Sequence, residues 1–257
     1  MSADEGRWRP RDWDAGAYDT ISDMQLEWGR EVLGRIDLHG GERVLDAGCG
    51  SGKVTELIAQ RVPRGGAIGV DASPSMIEAA RGRLGAEVEL IVADLMELEL
   101  DQPVDAVFSN ATFHWIPDHD RLYRRLHAAL RPGGRLEVQY GGKGNVAVLE
   151  AAVAGASTEP PFAEHLAELV RPWCFASPDE ALATVEGAGF AQVRCWLERK
   201  TQRFDEPWDL YACGLGDYLN RLPESLRERF VADVMDRMPD PTLREYVRLN
   251  VSARRPG

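Results

Sequence analysis

The sequence is poor in the features that mark secreted, membrane-bound or nucleic-acid-binding chains. Its 257 residues include four cysteines, Cys49, Cys174, Cys195 and Cys213, none of them in a C-x-x-C pair. Such spacing fits neither a zinc site nor a small disulfide-stapled domain, so the four read as reduced thiols of a cytoplasmic protein, and no metal is expected. No run of about 18 apolar residues occurs, and the opening MSADEGRWRPRDWDAG is polar, without the apolar centre of a signal peptide. No membrane contact is expected. A basic run is missing too: 30 Lys and Arg stand against 42 Asp and Glu, a net charge of −12. Between Arg83 and Arg121, acids such as Glu87, Asp94 and Asp105 have no cation among them. That field repels phosphate backbones and argues against nucleic acid as a partner. Internal repeats and low-complexity tracts are absent.

What is present is an ordinary globular composition, 44% apolar and 28% charged, in a chain long enough for a sizeable core. Ile21, Met24, Trp28, Val32 and Ile36 recur every three or four residues and predict an amphipathic helix. A short apolar strand at 43–46 then runs into a glycine loop, and Val54, Leu57, Ile58 and Val62 mark the helix after it. The cycle repeats: a strand at 67–70, a turn with Ser73 as N-cap and Pro74 at the first helical position, and a helix to about Leu84. A third buried strand is expected at 88–92 and a fourth at 105–108. A helix carrying Leu122, Leu126 and Leu130 is then stopped by the RPGG of 131–134, and Leu136, Val138 and Tyr140 alternate as a fifth strand.

Two further β-runs, 193–204 and 246–253, complete an α/β, doubly wound, mostly parallel seven-stranded sheet of Rossmann-like type. The rhythm breaks at 143–177 and 205–241. These interruptions, with residues 1–40, are expected to form a helical cap over the sheet's carboxyl edge, leaving 41–142, 178–204 and 242–257 as the core.

The glycine loop separates two kinds of ligand. A dinucleotide fold uses G-x-G-x-x-G with the pyrophosphate on the helix N-terminus. Here Gly48, Gly50 and Gly52 are spaced G-x-G-x-G, Lys53 stands where the third dinucleotide glycine would be, and Asp46 precedes the loop. A carboxylate there repels a pyrophosphate but can hold an ammonium or brace the loop. Asp71, at the end of the second strand, can accept both hydroxyls of a ribose. Together they suit an adenosine carrying a cationic amino-acid tail.

Through Val44-Leu45-Asp46-Ala47-Gly48-Cys49-Gly50-Ser51-Gly52 and Gly69-Val70-Asp71, the sequence resembles the class I S-adenosylmethionine-dependent methyltransferases. Val92-Ala93-Asp94-Leu95 resembles the segment whose acid meets the adenine amino group and whose next amide meets the ring. The segment 105–111, ending in Asn110-Ala111, resembles the one beside the methionine portion. The resemblance thus implies S-adenosylmethionine as cofactor, held by Asp46, Gly48, Gly50, Gly52, Asp71, Ala72, Met76, Asp94, Leu95 and Asn110, with Tyr18 from the N-terminal arm.

A narrower resemblance is to the trans-aconitate methyltransferases, which esterify a carboxylate. It rests on 13–18, on Phe108-Ser109-Asn110-Ala111 followed by His114-Trp115-Ile116-Pro117-Asp118-His119, on Gln139, and on the RLNVSARR of 248–255. Residues 24–29 read MQLEWG where that family carries paired arginines, and the GGKGN of 141–145 also departs from it. The resemblance implies methyl transfer by in-line displacement to the carboxylate or hydroxyl of a small, partly apolar molecule. A carboxylate is ionised at pH 7 and needs no base; a hydroxyl, amine or carbon acid needs proton removal.

His114 is the candidate base or acceptor ligand and Trp115 the candidate pocket wall. Trp13 and Tyr18 are candidates for an aromatic gate attracting the sulfonium, and Lys143 for a carboxylate anchor. C- or N-methylation with His114 as base, and a scaffold that keeps the cofactor fold without methylating, are the alternatives.

Overall fold

A computed structural model of the chain describes residues 23–167, 169, 173–205 and 215–257. Trp13, Tyr18, Ile21 and Cys213 lie outside them. The strands are β1 (Arg43–Ala47), β2 (Gly66–Asp71), β3 (Glu89–Val92), β4 (Val104–Asn110), β5 (Leu130–Gly141), β6 (Ala191–Arg203) and β7 (Leu243–Arg254). They form one sheet in the order β3-β2-β1-β4-β5-β7-β6. β1 to β5 are parallel, and β7 runs antiparallel to both neighbours. Chain order reverses between β1 and β4, which opens a crevice at the carboxyl ends of these strands where such sheets bind ligands.

The helices are α1 (Asp23–Leu33), α2 (Lys53–Arg61), α3 (Pro74–Leu84), α4 (His119–Ala129), α5 (Ala147–Ser157), α6 (Ala163–Leu166), α7 (Pro178–Gly187), α8 (Gly216–Leu219) and α9 (Glu224–Asp236). On one sheet face Leu136, Val138 and Tyr140 pack with Leu122 and Leu126 of α4 and Val185 of α7. On the other, Val44, Ala106 and Phe108 meet Val32 and Leu33 of α1 and Ile58 of α2. A third cluster joins Leu149 and Val153 of α5 to Phe230 and Val234 of α9, and takes in Trp28 of α1 and Tyr246 of β7. Among the described residues no helix is long and apolar enough to cross a membrane.

Ser73 caps α3 as its sequence suggests, its hydroxyl accepting the Met76 amide hydrogen at 3.3 Å with Pro74 opening the helix. Three local expectations are corrected. β3 is an edge strand and is not buried: Val92 is 45% exposed. Leu130 belongs to β5, not to the helix, because its extended backbone pairs with Val104 before 131–134 bulge out of the ladder. β5 does not alternate between core and solvent. Glu137 and Gln139 are buried as well, beneath α1, where Arg35 Nη1 and Gln139 Nε2 both donate to Asn250 Oδ1, at 2.6 and 2.8 Å.

Candidate active site

The loop between β1 and α2 is held from two sides. The amides of Gly48 and Cys49 both donate to the carbonyl of Val70, at 2.7 and 3.0 Å, tying the loop to β2. At Gly48, φ is +84° and a Cβ would lie 2.2 Å from Thr112 Oγ1, so only glycine lets the loop meet the segment after β4. Gly50, at φ +52°, faces the other way: a Cβ there would meet no heavy atom within 4 Å. Gly52 is the N-cap of α2.

Four polar side chains surround this loop at the strand ends. Asp71, half-buried at the end of β2, accepts the Gly50 amide hydrogen on Oδ2 and the Ser73 amide hydrogen on Oδ1, both at 2.9 Å. A carboxylate at this strand end is of the right chemistry to accept a hydroxyl. Ala72 follows it directly, and Met76 is buried in the first turn of α3. Asp46 is buried in β1 and accepts from Thr55 Oγ1 at 2.7 Å. Burial pushes its carboxyl up to about 7; the Thr55 bond opposes this and the charge of Asp71 adds to it. Beyond β3, Asp94 accepts the Met96 amide hydrogen at 2.9 Å, and Leu95 is buried beside it. Asn110, the last residue of β4, donates from Nδ2 to the carbonyl of Gln25 on α1 at 2.8 Å, while its Oδ1 is buried without a hydrogen-bond partner.

After β4 the chain turns sharply. Ala111 holds a left-handed backbone, φ +60°, a conformation that costs about 1 kcal/mol or more for a residue with a Cβ. A single 3-10 turn, Phe113–Trp115, follows. His114 is 9% exposed, and its Nδ1 accepts the Gly141 amide hydrogen at 3.3 Å. Burial holds this imidazole well below the usual histidine range; the positive charge of Arg248 and then His119 push the same way. The ring is therefore neutral, and with Nδ1 accepting, its proton is on Nε2. A base must offer a lone pair to its substrate, and this tautomer offers a donor instead, which goes against His114 as a base.

The segment 173–177 crosses above these strand ends, fixed by the Cys174 amide donating to the His114 carbonyl at 2.8 Å. Phe175 lies 6.0 Å and Trp115 5.2 Å from the His114 ring, centroid to centroid, and Trp173 stacks on Phe175 at 5.8 Å. Trp115, Trp173 and Phe175 are all half-buried.

Lys143 joins this group through its backbone alone, its amide donating to the Ala176 carbonyl at 2.9 Å. It is exposed on the loop after β5, and its charge acts on Glu180 at the start of α7. The cation near His114 is Arg248. It is 3% exposed, sits directly across the β5–β7 ladder from Gly141, and has its guanidinium carbon 5.1 Å from the centroid of the Trp28 ring. No periodicity in the sequence distinguishes it from the exposed Arg199 of β6.

A family model described as a methyltransferase domain matches residues 44–134, the span that carries the loop, Asp71, Asp94 and Asn110. The chain is 40% identical over 190 residues to a trans-aconitate 2-methyltransferase of Methylobacterium nodulans, covering 72% of this chain and 67% of that protein. It is 32% identical over 245 residues to the enzyme of the same name from Rhizobium etli, covering 88% and 89%.

The chain belongs to the class I S-adenosylmethionine-dependent methyltransferases, in the trans-aconitate methyltransferase family. A phosphoethanolamine N-methyltransferase 2 of Haemonchus contortus, solved with phosphomonomethylethanolamine and S-adenosylhomocysteine, shares the fold at 20% identity and a TM-score of 0.63. That match covers 95% of this chain and 57% of the other.

The site fits the cofactor of these methyltransferases. The space beside Gly50 leaves room against the loop, the carboxylate of half-buried Asp71 is an acceptor of the kind ribose hydroxyls need, and the unpartnered Asn110 Oδ1 suits an ammonium donor. S-adenosylmethionine is the cofactor, and the chain is a methyltransferase.

Proposed function

We propose that this methyltransferase esterifies a carboxylate oxygen of a small molecule enclosed between the carboxyl edge of the sheet and the helical cap. The cofactor, when bound, supplies a methyl group on a cationic sulfonium and leaves as a neutral thioether. Asp71 takes the ribose hydroxyls, Asp94 and the Leu95 amide take the adenine, and Asn110 Oδ1 takes the ammonium, with buried Asp46 adding negative charge beneath the loop. The glycines, Ala72 and Met76 shape the floor. Tyr18 and Trp13 are proposed to close the site from the arm.

The observation that carries the carboxylate reading is the tautomer of His114. A neutral imidazole presenting Nε2–H orients an oxygen that already bears charge, and cannot take a proton from a phenol, amine or carbon acid without first giving up its Gly141 bond. Trp115 walls the acceptor and helps exclude water, and alignment of this kind can lower a barrier by about 7 to 11 kcal/mol in favourable model reactions. The likeness to proteins named trans-aconitate 2-methyltransferase supports an acid acceptor. The net charge of −12 supports a small acceptor over nucleic acid.

The test is transfer of labelled methyl from S-adenosylmethionine to a panel of acids, phenols and amines, followed by mild base. A carboxylate ester releases labelled methanol under these conditions. Label that stays on the product through base treatment would show an ether, N-methyl or C-methyl product and overturn the reading.

A further inference from the structure

We infer that Gln139 is a second ligand for the cofactor's ammonium, its Oε1 joining Asn110 Oδ1 in a two-acceptor seat on one face of the sheet. This rests on the reading above that puts the ammonium at Asn110, and adds a residue to it.

Strand alternation sets the placement. Val44, Ala106 and Phe108 pack toward α1 and α2, whereas Leu136, Val138 and Tyr140 pack toward α4 and α7. Side chains alternate along a strand, so Asp46, Asn110 and Gln139 all stand on the α1 face, near the carboxyl ends of β1, β4 and β5. Asn110 and Gln139 are direct partners in the β4–β5 register.

The orientation of each amide is forced by what it meets. Arg35 Nη1 donates to Asn250 Oδ1 at 2.6 Å, and a guanidinium can only donate, so that atom is an oxygen. Gln139 meets the same oxygen at 2.8 Å and must present Nε2 to it, which turns Oε1 away. Asn110 meets the Gln25 carbonyl at 2.8 Å, must present Nδ2, and is left with Oδ1. Flipping either amide would set two acceptors against each other. Gln139 is fully buried, and neither its Oε1 nor Asn110 Oδ1 has a hydrogen-bond partner. A buried amide oxygen without a donor is uncommon and destabilising, and here two occupy adjacent strands of one face.

The chemistry of the seat selects its occupant. Two acceptor oxygens repel a carboxylate, so neither the cofactor's own carboxylate nor that of the methyl acceptor belongs there. An ammonium carries three N–H donors and can serve both oxygens at once. Asp46, on the same face of β1 beside β4, favours a cation when ionised.

The experiment is calorimetric titration of the full chain with S-adenosylhomocysteine and with its deaminated analogue, in which hydrogen replaces the ammonium while carboxylate, thioether and adenosine remain. Wild type should bind the analogue at least about 10-fold more weakly. Gln139→Met, similar in size but without the oxygen, should weaken S-adenosylhomocysteine by about 10-fold and the analogue by less than about 3-fold. Disturbed packing alone would weaken both ligands alike. In a crystal structure of the wild-type chain with S-adenosylhomocysteine, the ammonium nitrogen should lie about 2.7 to 3.2 Å from both Gln139 Oε1 and Asn110 Oδ1.

Equal effects of Gln139→Met on the two ligands, nil included, overturn the inference and leave the Asn110 contact standing. So does an ammonium bonded to Asn110 and out of reach of Gln139, a result that decides the matter even if Gln139→Met fails to fold. An analogue that binds wild type as tightly as S-adenosylhomocysteine, or an ammonium bound away from both residues, overturns the reading beneath as well.

Discussion

The amide of Gly141 donates to Nδ1 of His114 across 3.3 Å, and this one contact decides which nitrogen of a buried imidazole carries its proton. The ring belongs to the turn after β4 and the amide to the end of β5, so two adjacent strands set the tautomer. The carboxylate reading rests first on the donor thereby left at Nε2.

A glutamine keeps an N–H donor and cannot act as a base, so substitution at His114 separates the two roles. With a carboxylic acid as acceptor, His114→Gln should retain kcat/KM within about 10-fold, and His114→Ala should lose roughly 10- to 100-fold, the worth of a hydrogen bond to a charged group. Steady-state kinetics on folded variants measure this. Equal collapse of both, with cofactor affinity intact, would point to proton removal.

Asp46 should link pH to stability and to cofactor affinity. Its folded pKa is raised from 3.8 to about 7. Between those values the folded chain holds a proton that the unfolded chain has lost. The contribution to stability is therefore full below about pH 4, declines as pH rises toward 7, and is lost above it. Cofactor-free protein should show this as a Tm advantage of Asp46→Asn over wild type at pH 8 that disappears at pH 4. Binding of an ammonium favours the ionised form, so affinity for S-adenosylhomocysteine should fall by up to about 10-fold per unit below pH 7. Calorimetry at pH 6, 7 and 8 reads the slope, and Asp46→Asn should flatten it.

Gly48 should resist substitution for two separable reasons. Gly48→Ala combines a left-handed backbone with a Cβ 2.2 Å from Thr112 Oγ1, 2.3 Å from Cγ2 and 2.6 Å from Cβ. Together these should cost about 2 to 5 kcal/mol in urea unfolding. Adding Thr112→Ala removes the two outer atoms and keeps the Cβ contact and the backbone strain, so recovery should be partial. Complete recovery would show that Thr112 alone demands glycine.

Asp71 does two tasks, and its loss should be read in both. Asp71→Ala removes the acceptor for the Gly50 and Ser73 amides as well as the proposed ribose contact. Titration with S-adenosylhomocysteine should lose about 1.5 to 3 kcal/mol or more. Asp71→Asn, which keeps one oxygen, should fall between the variant and wild type.

The cofactor half of the site is legible in sequence because its chemistry is local. Gly48, Gly50 and Gly52 are within five residues, Asp71 ends the next strand, and the Ser73-Pro74 pair announces the helix that follows. The acceptor half is not, because its contacts are long-range. His114 meets an amide 27 residues away, and Arg248 reaches the site only because β7 inserts antiparallel between β5 and β6. Lys143 has the charge and the place after β5 that an anchor would need, but its side chain is exposed and only its backbone meets the 173–177 segment. The exposure of Val92 has the same origin, since its apolar run cannot reveal that β3 ends the sheet. Leu130 keeps the helical spacing of Leu122 and Leu126 but pairs with Val104, a partner 26 residues back.

The most direct measurement is a crystal structure of the full chain with S-adenosylhomocysteine and a carboxylic acid that it methylates. One carboxylate oxygen should lie within hydrogen-bonding distance, about 2.7 to 3.1 Å, of His114 Nε2, with the Gly141 amide still on Nδ1. An acceptor bound away from His114, or a ring turned so that Nδ1 faces it, would contradict the account.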